Sequence, residues 1–294
     1  MKLDSSPLTA PRSASAIERE IARLKPLDCK LRGALALYTF RAVEAPALMR
    51  EVGRLREVAF RQTGAGTGRE EDIDEGDWSE RGYRQIVAWE SEQRRVVGGY
   101  RYMIGRECDM TCMSSAHYFL FSERFEREIL PRAIELGRSF AVRDAGSSSL
   151  FAMSALWRGL GQIVAREGAE YLFGKVTIPP RYDGEALRLL LCFLWQFFPA
   201  REALLSARKP LKIEAGESPF RGEDFAENFA LLERLLAARG ERVPPMIHAY
   251  MRLTREMQVF DAMINPDFRS AVEVAILLPV SEIIPAKREV YIKQ

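Results

Sequence analysis

The chain has 294 residues, 43 basic and 41 acidic side chains, a hydrophobic fraction of 47% and only two histidines. A chain of this length can bury a substantial core without disulfides, and its hydrophobic content excludes wholesale disorder. The net charge of +2 lacks the basic excess of a sequence-independent nucleic-acid binder, so we expect no nucleic-acid partner.

The sequence predicts a cytoplasmic protein without a metal site. The N-terminal segment has no apolar core of a signal peptide, and no stretch reaches the roughly 18 apolar residues of a spanning helix. Of the four cysteines only Cys108 and Cys112 are close in sequence, and His117 and His248 are the only imidazoles, so a zinc site would need that pair plus partners that the sequence does not support. Because histidine is scarce, we expect a carboxylate or water to do any acid-base work.

The first third of the chain has an uneven charge distribution. Residues 1–30 read as a loose tail followed by a short helix, residues 33–42 as a strand, and residues 45–60 as a helix with an arginine-lined polar side. Residues 1–62 contain twelve basic and seven acidic groups, whereas residues 63–80 contain seven acids, one arginine and the run GAGTG. We expect this acidic segment to be mobile or ordered by a ligand.

From residue 83 onward strands and helices interleave, which predicts one mixed α/β domain over residues 31–294. We predict strands at 83–90, 94–103, 117–122, 134–142, 171–178 and 271–280. We predict helices at 123–130, 150–166, 183–198, 223–239 and after Pro244 and Pro245.

Two strands carry charged residues that need an explanation. Arg101 lies among apolar and aromatic residues, so its charge needs a partner, either a substrate carboxylate or Asp74 and Asp77 of the acidic segment. Glu135 points to the face opposite its strand neighbours, where a carboxylate can remove a proton. The alternative for Glu135 is an ion pair with Arg138 or with another strand arginine.

A polar turn, RDAGSSS, joins the strand at 134–142 to the helix at 150–166. Free backbone N–H groups at such a helix N-terminus bind phosphate well, although Ser147, Ser148 and Ser149 can equally cap the helix. This strand, loop, helix and strand unit resembles the core of the GNAT superfamily of acyltransferases.

Longer stretches refine the resemblance. RLREVAF, GREEDIDEGD, VVGGYRYM and IELGRSFAV are similar in order and spacing to the acyl-homoserine-lactone synthases, although GAGTG replaces a tryptophan expected there. Over almost the full length, segments such as LWRGLGQIVAR, YLFGKVTIPPRYD and PPMIHAYMRL resemble bacterial ornithine-type acyl-carrier-protein N-acyltransferases and hemolysin-like N-acyl amino acid synthases. The form YLFGKVTIPPRYD resembles their glycine N-acyltransferase branch.

The resemblance implies a GNAT-like, autoinducer-synthase-like fold, with a central mixed, mostly antiparallel twisted sheet flanked by helices. The core would cover residues 33–200, and a helical and strand extension would cover residues 201–294. The implied activity is transfer of a long-chain fatty acyl group, with or without a 3-hydroxyl, to the α-amine of glycine or an ornithine-like amino acid. An acyl-homoserine-lactone synthase and a catalytically silent lipid- or carrier-binding module remain the alternatives.

The resemblance also implies roles for individual residues. Glu135 would act as the base, while the amino acid would be bound by Arg101, Arg138, Asp74 and Asp77. Tyr182, just past the double proline, is either the acid for the leaving thiolate or a surface tyrosine in a turn. The phosphopantetheine arm would be held by Arg143, Gly146, Ser147, Ser148 and Ser149. Arg50, Arg54 and Arg56 of the helix at 45–60 form either a solvated face or a surface on which an acidic acyl carrier protein docks. No tightly bound cofactor is implied, and acyl carrier protein or acyl coenzyme A would be the co-substrate.

The helix at 183–198 is apolar on nearly every side, which is typical of a core helix. In an enzyme of this family it could instead form the wall of an acyl-chain tunnel. A third alternative is a peripheral contact with the inner face of the membrane, where a lipophilic product would leave.

Overall fold

A seven-stranded sheet forms the centre of the molecule. The computed structural model describes residues 6–29, 31, 34–143, 147–213 and 216–292, and for residues 147–150 it describes the backbone alone. The described strands are β1 Leu35–Phe40, β2 Arg84–Glu90, β3 Arg95–Ile104, β4 Phe119–Phe121, β5 Ala133–Ala141, β6 Tyr171–Ile178, β7 Leu205–Ala207, β8 Gln258–Asn265 and β9 Ala271–Pro279. The described helices are α1 Ala14–Ile21, α2 Pro46–Arg61, α3 Glu75–Trp78, α4 Ser114–Tyr118, α5 Ser147–Glu167, α6 Gly184–Phe197, α7 Phe225–Ala237, α8 Pro245–Met251 and α9 Pro285–Tyr291.

The strands of the sheet follow the order β1-β2-β3-β5-β6-β9-β8. Neighbouring strands are antiparallel except for β5 and β6, which are parallel and pair over only four residues, 133–136 with 171–174. A separate two-stranded sheet pairs β4 with β7. The predicted mixed α/β class, with a mostly antiparallel sheet flanked by helices, is confirmed.

The two faces of the central sheet differ in what covers them. Helices α5 and α6 cover one face and share its apolar core with residues such as Ile86, Leu136 and Ile276. Gly159 permits the close approach of α5, since a Cβ there would lie 2.5 Å from the Ile86 side chain. The opposite face packs against α2 and carries most of the charged residues described below.

Two strands of the sheet come from the C-terminal part of the chain. β9 lies between β6 and β8, so the sheet extends past the expected core boundary near residue 200. Helix α6 is a core helix, as expected, because Leu190, Leu191 and Phe193 are fully buried. The Phe193 ring contacts aromatic rings of the C-terminal part, including Phe225 and Phe229 of α7.

Several local predictions are corrected by the structure. Residues 6–13 contact α2 and the acidic segment instead of lying loose: the Arg12 backbone N–H donates to Glu51 Oε2 at 2.9 Å. The predicted strand at 117–122 is a helical turn followed by the short β4, and the predicted helix at 123–130 is a π-helical turn over 125–129. Strand β8 was not predicted, because Gln258 and Asp261 interrupt its apolar pattern.

Candidate active site

Glu135 lies at the centre of the charged face and is 2% exposed. Its Oε2 accepts a hydrogen bond from the Tyr83 hydroxyl at 2.6 Å, and its Oε1 accepts one from the Ser115 backbone N–H at 2.8 Å. The Tyr83 oxygen in turn accepts from the Ser114 backbone N–H at 2.7 Å. Glu135 and Tyr83 therefore hold the first turn of α4 against the sheet through its free N–H groups.

The Tyr83 phenol donates its hydrogen bond directly to the Glu135 carboxylate. Burial and then the negative charge of Glu135 raise the pKa of Tyr83 well above its ordinary value. Burial disfavours a phenolate, and Glu135 favours the protonated phenol as a donor. Tyr83 is therefore a neutral phenol that donates a hydrogen bond to Glu135.

The structure pairs Arg101 with the acidic segment. Its Nη1 lies 2.6 Å from Asp74 Oδ2 and 3.3 Å from Asp77 Oδ2, and its guanidinium carbon lies 3.9 Å from the centre of the Tyr83 ring. The side chain is 2% exposed. Of the two partners considered for Arg101, the internal carboxylates are the ones observed.

The acidic segment is ordered over the described residues 63–80. The Asp74 carboxylate caps α3 by accepting a hydrogen bond from the Asp77 backbone N–H at 3.2 Å. The Asp77 carboxylate in turn accepts one from the Asp74 backbone N–H at 3.1 Å. This reciprocal arrangement is a capping box. The segment is thus held by its own cap and by Arg101.

Arg56 is fully buried, so its predicted contact with a carrier protein is wrong. Its Nη1 lies 3.3 Å from both carboxylate oxygens of Asp77, and its Nη2 donates to Gln85 Oε1. Gln85 Nε2 also donates to Asp77 Oδ1 at 2.8 Å. The helical period of α2 turns Arg56 toward the sheet, which the count of arginines along the helix could not reveal.

The other two predicted docking residues lie nearer the surface but have acidic partners. Arg50 is half exposed and lies 3.2 Å from Glu71, while Arg54 pairs with Glu51 one turn earlier on the helix. These carboxylates partly neutralise the charges of Arg50 and Arg54. Because Arg56 is buried, only Arg50 and Arg54 of the three predicted docking residues remain near the surface.

The glycine-rich run after α2 binds an internal carboxylate. The Thr67 N–H and hydroxyl donate to Glu57 Oε2 at 2.9 and 2.8 Å, and the Gly68 N–H donates to Glu57 Oε1 at 2.8 Å. Gly64, Gly66 and Gly68 all have positive φ angles, which let successive N–H groups converge on one anion. Glu57 thus occupies the position that a phosphate would take in a nucleotide-binding loop.

The parallel strands β5 and β6 separate after Leu136 and Gly174 and form a fork. Arg138, at the beginning of the fork, has a φ of 48° inside β5, and the pairing with β3 shifts register at this point. A β-bulge of this kind re-aims side chains next to functional sites. After Leu136 and Gly174 the facing edges of β5 and β6 do not pair with each other by hydrogen bonds.

Arg138 does not pair with Glu135. Its Nε lies 2.8 Å from Oδ2 of the buried Asp72, and its guanidinium carbon lies 4.5 Å from the centre of the Phe268 ring. The ion pair of Glu135 with Arg138 that the sequence allowed is therefore wrong. The side chain of Arg138 is 13% exposed, so part of it reaches the solvent side of the fork.

A second polar group, not anticipated from the sequence, lies on the other arm of the fork. Lys175 Nζ lies 3.3 Å from Oε1 of the fully buried Glu273. Glu273 also accepts from the Thr177 hydroxyl and the Asn265 amide, each at 2.9 Å. The sequence feature that could have predicted this pair is a single charged residue in each of two apolar strands, the lysine of YLFGKVTI and the glutamate of AVEVAILLPV.

The predicted acid Tyr182 lies away from Glu135. Its hydroxyl donates to the Arg242 carbonyl at 3.0 Å, and its ring packs against the core on the face covered by α5 and α6. Burial and the charge of Glu241 raise the pKa of Tyr182. The structure does not bring Tyr182 and Glu135 together, and the role of Tyr182 stays a prediction.

The predicted phosphopantetheine residues are only partly described. Arg143 is exposed just after β5, Gly146 lies outside the described residues, and Ser147, Ser148 and Ser149 form the first turn of α5 without described side chains. The backbone N–H groups of that first turn lack helical partners, which is the property the prediction uses. The predicted role of this turn remains open.

Within the described part of the chain, no three His, Cys, Asp or Glu side chains are grouped in a way that could hold a metal ion. No described helix is both long enough and apolar enough to cross a bilayer.

Comparisons with known proteins identify a domain and two relatives. Residues 55–157 match the acetyltransferase (GNAT) domain family. The glycine N(alpha)-acyltransferase of Phocaeicola vulgatus is 37% identical over 306 aligned residues, which cover 98% of this chain and 94% of that protein. The glycine N(alpha)-acyltransferase of Bacteroides thetaiotaomicron is also 37% identical, over 95% of this chain and 87% of that protein.

Among solved structures, an N-acyl amino acid synthase from uncultured soil microbes shares 9% identity with this chain. The superposition covers 90% of this chain and 98% of that chain, with a TM-score of 0.44.

Proposed function

The chain belongs to the glycine N-acyltransferase family of GNAT acyltransferases, and from this premise we propose that it transfers a long-chain fatty acyl group from an acyl carrier protein to glycine. The observation that carries the proposal is the 37% identity along 98% of the chain. Acyl transfer to an amino acid is the common activity of the family. Glycine as acceptor, the carrier-bound donor and the long acyl chain are the proposed specifics.

The fork between β5 and β6 supports the proposal as the place where donor and acceptor meet. Unpaired inner edges of two strands can hydrogen-bond the amide groups of a pantetheine arm, as an added strand would. Arg138, Lys175 and the Tyr83–Glu135 pair lie on the same side of this opening. An acyl thioester in the fork would therefore be next to groups that can orient an amino acid.

Glu135 is the proposed acceptor of the proton that the attacking amine must lose. Aminolysis by an ammonium forms the C–N bond, breaks the C–S bond and releases two protons from the nitrogen, one of which goes to the departing thiolate to give the thiol. Tyr83 can pass a proton to Glu135 Oε2 across its 2.6 Å hydrogen bond. Proton removal by a positioned base contributes about 10²- to 10⁴-fold to such rates.

The experiment that tests the function uses the purified full chain with a long-chain acyl carrier protein and each of the twenty amino acids and ornithine. Mass spectrometry should detect N-acylglycine as the main product. A product that requires S-adenosylmethionine would indicate lactone synthesis instead, and the absence of any acyl transfer would contradict the proposal. Replacing the carrier by acyl coenzyme A in a parallel reaction determines which donor is used.

Glu135→Gln separates a base from a purely structural carboxylate. The amide oxygen of Gln can still accept from the Ser115 N–H, so the first turn of α4 should stay in place. We expect kcat to fall by about 10²-fold or more with little change in KM for glycine. Glu202→Gln, a surface carboxylate paired with Arg124, is the matched control and should keep wild-type kcat.

A further inference from the structure

Lys175 occupies a position on β6 that faces the proposed acceptor site. It is the first residue of β6 beyond the last pair with β5, and strand alternation places it on the same face as Phe173, the partner of Glu135. Arg138 lies across the fork on β5. Two cations thus stand on opposite arms of the same opening.

The hydrogen bonds of Lys175 leave part of its binding capacity unused. An ammonium has three N–H donors, and among the described residues its one hydrogen-bond acceptor is Glu273. The side chain is only 8% exposed, so water satisfies little of the remainder. Burial lowers the pKa of Lys175, and the charge of Glu273 opposes this.

Glu273 does not depend on Lys175 alone. The Thr177 hydroxyl and the Asn265 amide each donate to it at 2.9 Å, one to each carboxylate oxygen. If the flexible lysine chain turns toward the fork, Glu273 keeps two donors. Arg101, by contrast, already lies between two carboxylates, Asp74 and Asp77, and has no comparable freedom.

We infer that Lys175 binds the carboxylate of the amino-acid acceptor and selects amines that carry one. The inference rests on the proposed function, because it assigns a residue to the acceptor side of the same reaction. Lys175 is a specificity-determining residue in this scheme, and Arg138 contacts the acceptor from the opposite arm of the fork. An amine without a carboxylate would leave the Lys175 ammonium with Glu273 as its one hydrogen-bond acceptor among the described residues, beside the Tyr118 ring 5.2 Å away.

The test compares glycine with glycinamide, which has the same nucleophile but no carboxylate. The wild type should prefer glycine. Lys175→Met should lower kcat/KM for glycine by about 10- to 100-fold, as expected for the loss of a hydrogen bond to a charged group, and leave glycinamide nearly unchanged. Lys175→Arg should restore part of the preference, and Lys209→Met, at an exposed position, should not alter it.

Lys175→Met also leaves the buried Glu273 carboxylate with one hydrogen-bond partner fewer, which can destabilise the fold. A second variant therefore separates a loss of specificity from a loss of folding. The double variant Lys175→Met with Glu273→Gln removes both charges and leaves no buried charge unpaired. It should lose the preference for glycine to the same extent. A structural role alone would reduce the rates with both amines equally, and an unchanged glycine-to-glycinamide ratio in the double variant overturns the inference.

A binding measurement distinguishes this outcome from failure of the proposed function. If the wild type acylates no glycine, the proposed function fails, and calorimetric titration of the protein with glycine and glycinamide still reports on Lys175. Tighter binding of glycine that disappears in Lys175→Met supports the inference. Equal binding of glycine by the wild type and the variant, or no binding by either, overturns it.

Discussion

Asp77→Asn should be among the most destabilising conservative substitutions in the protein, because Asp77 joins two buried guanidinium groups. Both carboxylate oxygens lie 3.3 Å from Arg56 Nη1, and Oδ2 also lies 3.3 Å from Arg101 Nη1. The Asp77 and Arg56 side chains are both fully buried. In the variant Arg101 keeps Asp74, whereas Arg56 keeps only neutral partners, the Asp72 carbonyl and Gln85.

The magnitude follows from leaving one buried cation without its carboxylate. Breaking a buried ion pair by removing one partner costs about 3–5 kcal/mol. Asparagine has the same shape and retains an acceptor, so we expect a loss near 3 kcal/mol. Urea denaturation followed by tryptophan fluorescence and circular dichroism measures the change, with the m-value unaltered if both states keep their exposed surface.

A control and a double-mutant cycle make the Asp77 test specific. Asp28→Asn changes an exposed carboxylate and should shift the free energy of unfolding by about 0.5 kcal/mol or less. Arg56→Met combined with Asp77→Asn should cost less than the two single changes added together, since neither charge is then left alone. A loss below about 1 kcal/mol for Asp77→Asn would refute the view that this pair is buried and internally compensated.

Two further predictions concern pH and backbone packing. Burial would raise the pKa of Asp74, but the charge and hydrogen bond of Arg101 outweigh it and hold the pKa below its ordinary value. This contribution to stability is present above the unfolded pKa of about 3.9 and lost as the pH falls through the lower folded value. The stability difference between wild type and Asp74→Asn, measured by urea denaturation, should therefore be constant near neutral pH and shrink below about pH 4; a constant difference down to pH 2 would contradict it. Gly174→Ala should lower stability by about 1–3 kcal/mol in thermal denaturation, because its Cβ would lie 2.4 Å from the Leu136 carbonyl oxygen, whereas Gly184→Ala, with open space around it, should be neutral.

The sequence predicted the elements that have strong periodicity. β6 and α6 alternate or repeat clearly, and their observed bounds agree with the predicted ones within a residue or two. β8 was missed because its polar residues break the apolar pattern, although they contact neighbouring elements: Asp261 Oδ2 accepts from the Ala207 N–H at 2.9 Å. Short strands and single helical turns depend on tertiary contacts that local patterns do not encode.

In the candidate site, too, the local sequence predicted some features, whereas others depend on contacts between residues far apart in the chain. A charged residue in an apolar strand predicted that Arg101 needed a partner, and it has one in Asp74 and Asp77. Which partners Arg101 and Glu135 take depends on segments far along the chain: Tyr83, 52 residues before Glu135, provides one of its hydrogen bonds. The burial of Arg56 depends on how α2 is rotated against the sheet, which its composition does not specify.

The position of β9 between β6 and β8 has a consequence for folding during synthesis. Until residues 271–279 leave the ribosome, β6 is an open edge with the four residue pairs to β5 as its strand pairing. An unpaired apolar edge is prone to association with other chains. The nascent chain therefore completes its central sheet only when almost all of it has been translated, and a truncation before β8 would expose the inner part of the sheet to aggregation.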